Sequence, residues 1–133
     1  MRNWILLAGC AQIAIALASL AIPRILNWRE DLAQLRPLTR QVFWTYAAYI
    51  WSINVAFGLL SIFAADSLLD RSTLARAVCA FIALYWGARL AIQLFWFDRS
   101  GAPQGKHVRL AEILLTTAFA ALTLIYGWAA FGT

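Results

Sequence analysis

Residues 74–97 read LARAVCAFIALYWGARLAIQLFWF, a run of 24 positions whose charges are Arg76 and Arg89 alone. At 1.5 Å per residue such a run, wound as a helix, reaches about 36 Å and exceeds the roughly 30 Å hydrocarbon core of a bilayer. Its apolar residues surround the helix instead of forming one stripe, which fits a segment enclosed by lipid or protein on every side. Stretches of the same kind occupy residues 3–23, 41–65 and 109–131. The fold class read from them is all-α, an integral membrane four-helix bundle forming a single transmembrane domain over residues 1–133.

Composition agrees. The 133 residues are 63% hydrophobic, 14% aromatic and 13% charged, and the mean hydropathy of +0.71 is far above that of a soluble domain of this size. The first span could be taken for a signal peptide, with Arg2, an apolar run and Ala16-Leu17-Ala18. Its apolar run of about 19 residues exceeds the 7–15 of a signal core, so a spanning helix is expected.

Several chemistries lack the side chains they need. One His, two Cys and six acids cannot supply bis-histidine haem ligation, and Cys10 and Cys79 stand apart without a C-x-x-C. No phosphate loop, H-E-x-x-H or G-x-S-x-G occurs. The acids Glu30, Asp31, Asp66, Asp70 and Asp98 fall near membrane surfaces without His or Cys beside them, so no enzyme and no metal site is expected. No cofactor is predicted, although a lipid, quinone or pigment held in an aromatic groove without ligation would leave no motif. The net charge of +5 reads as orientation signal and contact with anionic lipid on the cytoplasmic side, not as nucleic-acid binding.

Lysine and arginine are unevenly distributed between the two sides. Arg24, Arg29, Arg36, Arg40, Arg99, Lys106 and Arg109 lie in or beside the first and third loops, against Arg2, Arg71 and Arg76 opposite. Loops 24–40 and 98–108 are therefore expected in the cytoplasm and both termini outside, as in a multi-pass protein of the cytoplasmic (inner) membrane. Trp4, Trp28, Trp44, Trp96 and Trp128 fall near helix ends, where indole suits the interface. Within residues 25–36, Ile25, Trp28, Leu32 and Leu35 recur at helical spacing opposite Arg29, Glu30, Asp31 and Arg36, which predicts a short amphipathic interfacial helix. Asn27 and Glu30 have the spacing of a loose capping box, and Pro37 is expected to end the turn. Ser100-Gly101-Ala102-Pro103-Gln104-Gly105 is turn chemistry, with a solvated His107 beside it.

Each span carries small or polar residues suited to helix packing in lipid. They are Ala8, Gln12, Ala16 and Ser19 in the first, Asn54, Gly58, Ser61 and Ala65 in the second, and Glu112, Thr116, Ala120, Thr123 and Gly127 in the fourth. Gln12, Asn54 and Gly58 are singled out as packing residues, with a Gln12–Asn54 hydrogen bond expected between the first two helices. Cys10 and Cys79 reach similar depths, so a disulfide is within reach, but free thiols are ordinary in apolar helices.

Arg89 lies about 12 Å from the cytoplasmic end of the third span, with Gln93 one turn further on. Folding the third and fourth spans as a hairpin sets Glu112 opposite about residue 94, and Tyr46 and Tyr49 belong to the same leaflet. Arg89, Gln93, Glu112, Tyr46 and Tyr49 thus form the candidate polar cluster, because ionisable groups at membrane depth need a partner or a function. Three uses stay open: an ion pair fixing helix register, a site for an anionic group using the arginine fork, and proton coupling through Glu112.

Length and span number match two families of small membrane proteins. Small multidrug-resistance transporters have an embedded Glu in the first helix, where this chain has Gln12; the run Asn54-Val55-Ala56-Phe57-Gly58 is similar to the second helix of fluoride channels, but the rest of their pattern is missing and the charge bias opposes their dual topology. Disulfide-forming quinone enzymes need paired cysteines that this chain lacks. The resulting expectation is a non-catalytic packing or accessory subunit that self-associates or joins other membrane subunits; the alternative is an oligomeric transporter or channel for an anionic or amphipathic solute using Arg89 and Glu112.

Overall fold

The computed structural model describes residues 2–95 and 105–132. Seven helices and no strand occur among these residues: α1 (Arg2–Ser19), α2 (Ile22–Ile25), α3 (Trp28–Ala33), α4 (Pro37–Phe63), α5 (Ala65–Leu68), α6 (Thr73–Phe95) and α7 (Lys106–Phe131). Four segments are long and apolar enough to cross a membrane, Arg2–Ile25, Pro37–Phe63, Thr73–Phe95 and Arg109–Phe131. They coincide with the four expected spans to within a few residues at each end. Trp96, Asp98, Arg99 and the run Ser100-Gly101-Ala102-Pro103-Gln104 lie outside the described residues, as does the side chain of His107.

The connector after α1 is more broken than expected. Pro23 has no N–H to give to the preceding turn, and the chain passes through a turn at Leu20 and Ala21 before α2. Asn27 then adopts the left-handed conformation, φ 55°, and makes no side-chain cap hydrogen bond, so the loose capping box does not form. The amphipathic stretch is consequently limited to α3, with Leu32 buried and Arg29, Glu30 and Asp31 exposed. Pro37 opens α4 instead of merely ending a turn; its fixed φ and missing N–H suit the first helical turn.

The helices pack as two antiparallel hairpins, α1 on α4 and α6 on α7, with α1 also touching α7. In the first hairpin the backbones meet at Gly9 and Gly58, where an added Cβ would come within 3.0 Å of the opposing carbonyl oxygen on either side. Trp51 reinforces this contact by donating its indole N–H to the Ala16 carbonyl at 2.9 Å. In the second hairpin the Thr123 methyl group fits over Gly87, 3.4 Å from where its Cβ would lie. Ile5, Ile82, Trp86, Phe119, Leu122 and Tyr126 fill the centre between the hairpins. Arg2 and Asp66, both well exposed, pair at 3.0 Å where the start of α1 meets α5.

The second long helix is the least enclosed. In α4, 11% of the most apolar window is buried, against 28, 22 and 22% in the other three spans. Ser72 starts α6 by accepting the Ala75 N–H at 3.1 Å, while the Asp70 carboxylate accepts the Ser72 N–H at 2.8 Å across Arg71, which holds φ 64°.

Candidate functional site

Polar groups collect in two places. The first is the centre, where side chains from all four long helices form one hydrogen-bonded set. Gln12 lies three residues beyond Gly9, about 60° round α1, and so turns away from the close crossing with α4. Its Nε2 donates to the Tyr126 hydroxyl at 2.6 Å and to the Ala8 carbonyl at 3.2 Å, and its Oε1 accepts the Trp86 indole N–H at 3.0 Å. Tyr126 also hydrogen-bonds Ser61, with either hydroxyl able to donate. Gln12, Ser61, Trp86 and Tyr126 are all buried, and every buried side-chain nitrogen and oxygen among the described residues has a partner. Such completeness matters because an unsatisfied buried group costs about 1–3 kcal/mol.

The expected Gln12–Asn54 bond is not made. Asn54 instead accepts the Tyr85 hydroxyl at 2.5 Å, tying α4 to α6, while Gln12 finds a donor in Trp86 and a hydroxyl in Tyr126 on the opposite side. Asn54 thus meets α6, Gln12 meets α6 and α7, and Gly58 abuts Gly9 on α1. Cys79 donates weakly to the Leu68 carbonyl at 3.6 Å, and both cysteines are free thiols, Cys10 on the outer surface and Cys79 inside.

The second collection surrounds Arg89. Its guanidinium donates to the Gln93 side-chain carbonyl at 3.3 Å and lies 5.1 Å from the centre of the Phe119 ring, which itself stacks on Trp86 at 5.3 Å. Among its contacts are thus an aromatic face and a side chain one turn along its own helix. Glu112, half-buried on α7, lines a shallow cleft of about 220 Å³ with Leu94, Arg109, Ile113, Thr116 and Thr117. Arg89, Gln93 and Glu112 thus occupy neighbouring parts of the α6–α7 hairpin. Tyr46 and Tyr49 do not join them: they are 63 and 64% exposed on α4, because Asn54, Gly58 and Ser61 define its inward face and Tyr49 lies about 140° round from Asn54. Tyr85, one turn before Arg89 on α6, is half-buried and bonded to Asn54.

Two further participants, Tyr126 and Gly9, carry signals in the sequence. Tyr126 belongs to a face of Phe119, Leu122, Tyr126 and Ala130 with spacings of three, four and four, beside the small-residue stripe on α7. Gly9 precedes Gln12 by one turn and faces Gly58.

No family model matches the chain, and neither curated proteins nor solved structures give a match. Among the described residues no three His, Cys, Asp or Glu side chains come together as metal ligands would.

Proposed function

We propose that this chain is a multi-pass membrane protein, a four-helix bundle that works as a non-catalytic packing subunit beside copies of itself or other membrane polypeptides. The observation that carries this reading is the closed set of Gln12, Ser61, Trp86 and Tyr126, which fills the centre where a solute path through one protomer would have to run. Rigid hydrogen-bonded cores of this kind fix one arrangement of helices, as a scaffold requires. The basic first and third loops lie in the cytoplasm in this reading, with both termini outside.

The partner-facing surface is assigned to α4. It gives least of itself to its own core, and Tyr46, Tyr49, Ile50 and Ile53 point outward along it. Photo-crosslinking amino acids placed at Tyr49 and Ile53 should trap a second polypeptide in native membranes, whereas one at outward-facing Leu84 on α6 should trap only lipid. Crosslinking to lipid alone from all three positions would refute the reading.

The cleft beside Glu112 favours a second reading, an oligomeric carrier for an anionic or amphipathic solute. Its test is solute-specific uptake into vesicles that is lost in both Arg89→Gln and Glu112→Gln while the variants remain folded.

A further inference from the structure

A recess of about 390 Å³ lies where α3 meets the first turns of α4, lined by Arg29, Leu32, Ala33, Arg40 and Trp44. Its volume falls within the range of about 300–1,000 Å³ typical of small-ligand pockets. The chemistry of its wall is divided. Arg29 on α3 and Arg40 on α4 both line this one space, and the ion pair among the described residues, Arg2–Asp66, involves neither. Glu30 and Asp31, the acids of α3, are exposed and are not part of the lining. Leu32, buried, and Ala33 form an apolar wall, and Trp44 stands one turn beyond Arg40.

The aromatic packing around the recess makes it a formed feature. Trp28 meets Phe43 edge-on at 4.9 Å and Trp44 at 5.8 Å, which fastens α3 to α4. Two like charges held beside one recess repel each other, and an anion between them removes that repulsion. Guanidinium forks match the oxygens of a phosphate, and the indole N–H can donate to a further oxygen. The apolar wall suits a ligand with a hydrocarbon portion.

We infer that the Arg29/Arg40/Trp44 recess binds a phosphate group, with the headgroup of an anionic phospholipid as the ligand that uses both its charged and its apolar walls. This site rests on the membrane reading above and gives the connector between the first two spans a specific lipid-binding role.

The test is a titration of the purified full chain in detergent micelles with phosphatidylglycerol, phosphatidylcholine or inorganic phosphate, bound molecules being counted by native mass spectrometry. Phosphatidylglycerol should bind more tightly than phosphatidylcholine, and Arg29→Gln/Arg40→Gln should weaken it about tenfold or more. Arg24→Gln/Arg36→Gln removes the same charge from the same connector outside the recess and should change binding less than about twofold. An equal loss in both double variants would mean a diffuse basic surface and would overturn the site, as would no loss in either. Saturable binding of inorganic phosphate, lost in Arg29→Gln/Arg40→Gln, would identify a soluble phosphate as the source; its absence alongside selective lipid binding identifies the lipid.

Melting of each variant without added lipid reports whether it is folded. Where Arg29→Gln/Arg40→Gln does not fold, Arg29→Lys/Arg40→Lys keeps the charge and removes the forks; binding within about twofold of the wild type would then overturn the site. Insertion of the wild-type chain into pure phosphatidylcholine vesicles, resistant to alkaline extraction, tests the membrane reading separately. Failure there refutes that reading, whereas insertion without phosphatidylglycerol selectivity refutes only the recess.

Discussion

Gly9 and Gly58 face each other backbone to backbone: a Cβ on Gly9 would sit 2.9 Å from the Gly58 carbonyl oxygen, and one on Gly58 would sit 3.0 Å from the Gly9 carbonyl oxygen. Helices in lipid gain no hydrophobic advantage by meeting, so close approach through small residues supplies dispersion contact instead. Gly→Ala within a helix ordinarily stabilises by about 1 kcal/mol. Here Gly9→Ala and Gly58→Ala should each destabilise by about 1–3 kcal/mol through overpacking, and the double variant by less than the sum because one separation relieves both clashes. Gly127 has open space around its Cβ position, so Gly127→Ala should be neutral or stabilising by up to about 1 kcal/mol. Equilibrium unfolding in mixed micelles measures all four.

The central hydrogen bonds predict a ranking. Tyr126→Phe leaves a Gln12 amide hydrogen and the Ser61 hydroxyl without their partner, a loss of about 1–2 kcal/mol. Gln12→Leu strands the Trp86 indole N–H and removes one of the two side-chain bonds to the Tyr126 hydroxyl, so it should be at least as damaging. A double-mutant cycle on Ser61→Ala and Tyr126→Phe should return a coupling of about 1 kcal/mol, whereas Ser52→Ala, on an exposed hydroxyl bonded to its own helix, should show none with Tyr126→Phe.

In the loop before α6 the sign of a pH effect can be worked out. The Ser72 backbone N–H, followed by the Ser72 side chain, holds the Asp70 carboxyl below its ordinary value. A depressed folded-state value means the contribution is fully present above the unfolded value of about 4 and is lost as pH falls through the lower folded value. Amide exchange at Ser72 should therefore quicken as the sample is acidified below about pH 4, after correction for the intrinsic rate. In Asp70→Ala that acid-induced step should be absent.

Cys10 and Cys79 should give the same intact mass with and without reductant, since both are free thiols. In micelles Cys79, enclosed and bonded to the Leu68 carbonyl, should react with a small thiol reagent more slowly than exposed Cys10.

The long helices are readable because their length and uniform apolarity survive any detail of packing; Thr73–Phe95 alone makes a helix of spanning length. Partner choice within the core was harder. Gln12 and Asn54 share a depth, but depth does not give azimuth, and the glycine crossing turns Gln12 toward Trp86 and Tyr126. Depth likewise groups Tyr46 and Tyr49 with Arg89, yet their face of α4 points outward. On α7 the small residues form the more conspicuous stripe in the sequence, while the buried face runs through the larger Phe119, Leu122 and Tyr126 beside them. Around Asn27 the helical spacing of apolar residues continued through a left-handed backbone position that periodicity does not register.

Native mass spectrometry of the protein released gently from its own membrane tests the proposed packing role most directly. The account predicts a fixed stoichiometry with further copies of this chain or with other membrane polypeptides, unchanged by Arg89→Gln. A monomer carrying lipid alone would contradict it, and an oligomer that loses a bound anionic solute on Arg89→Gln would transfer the claim to the carrier reading.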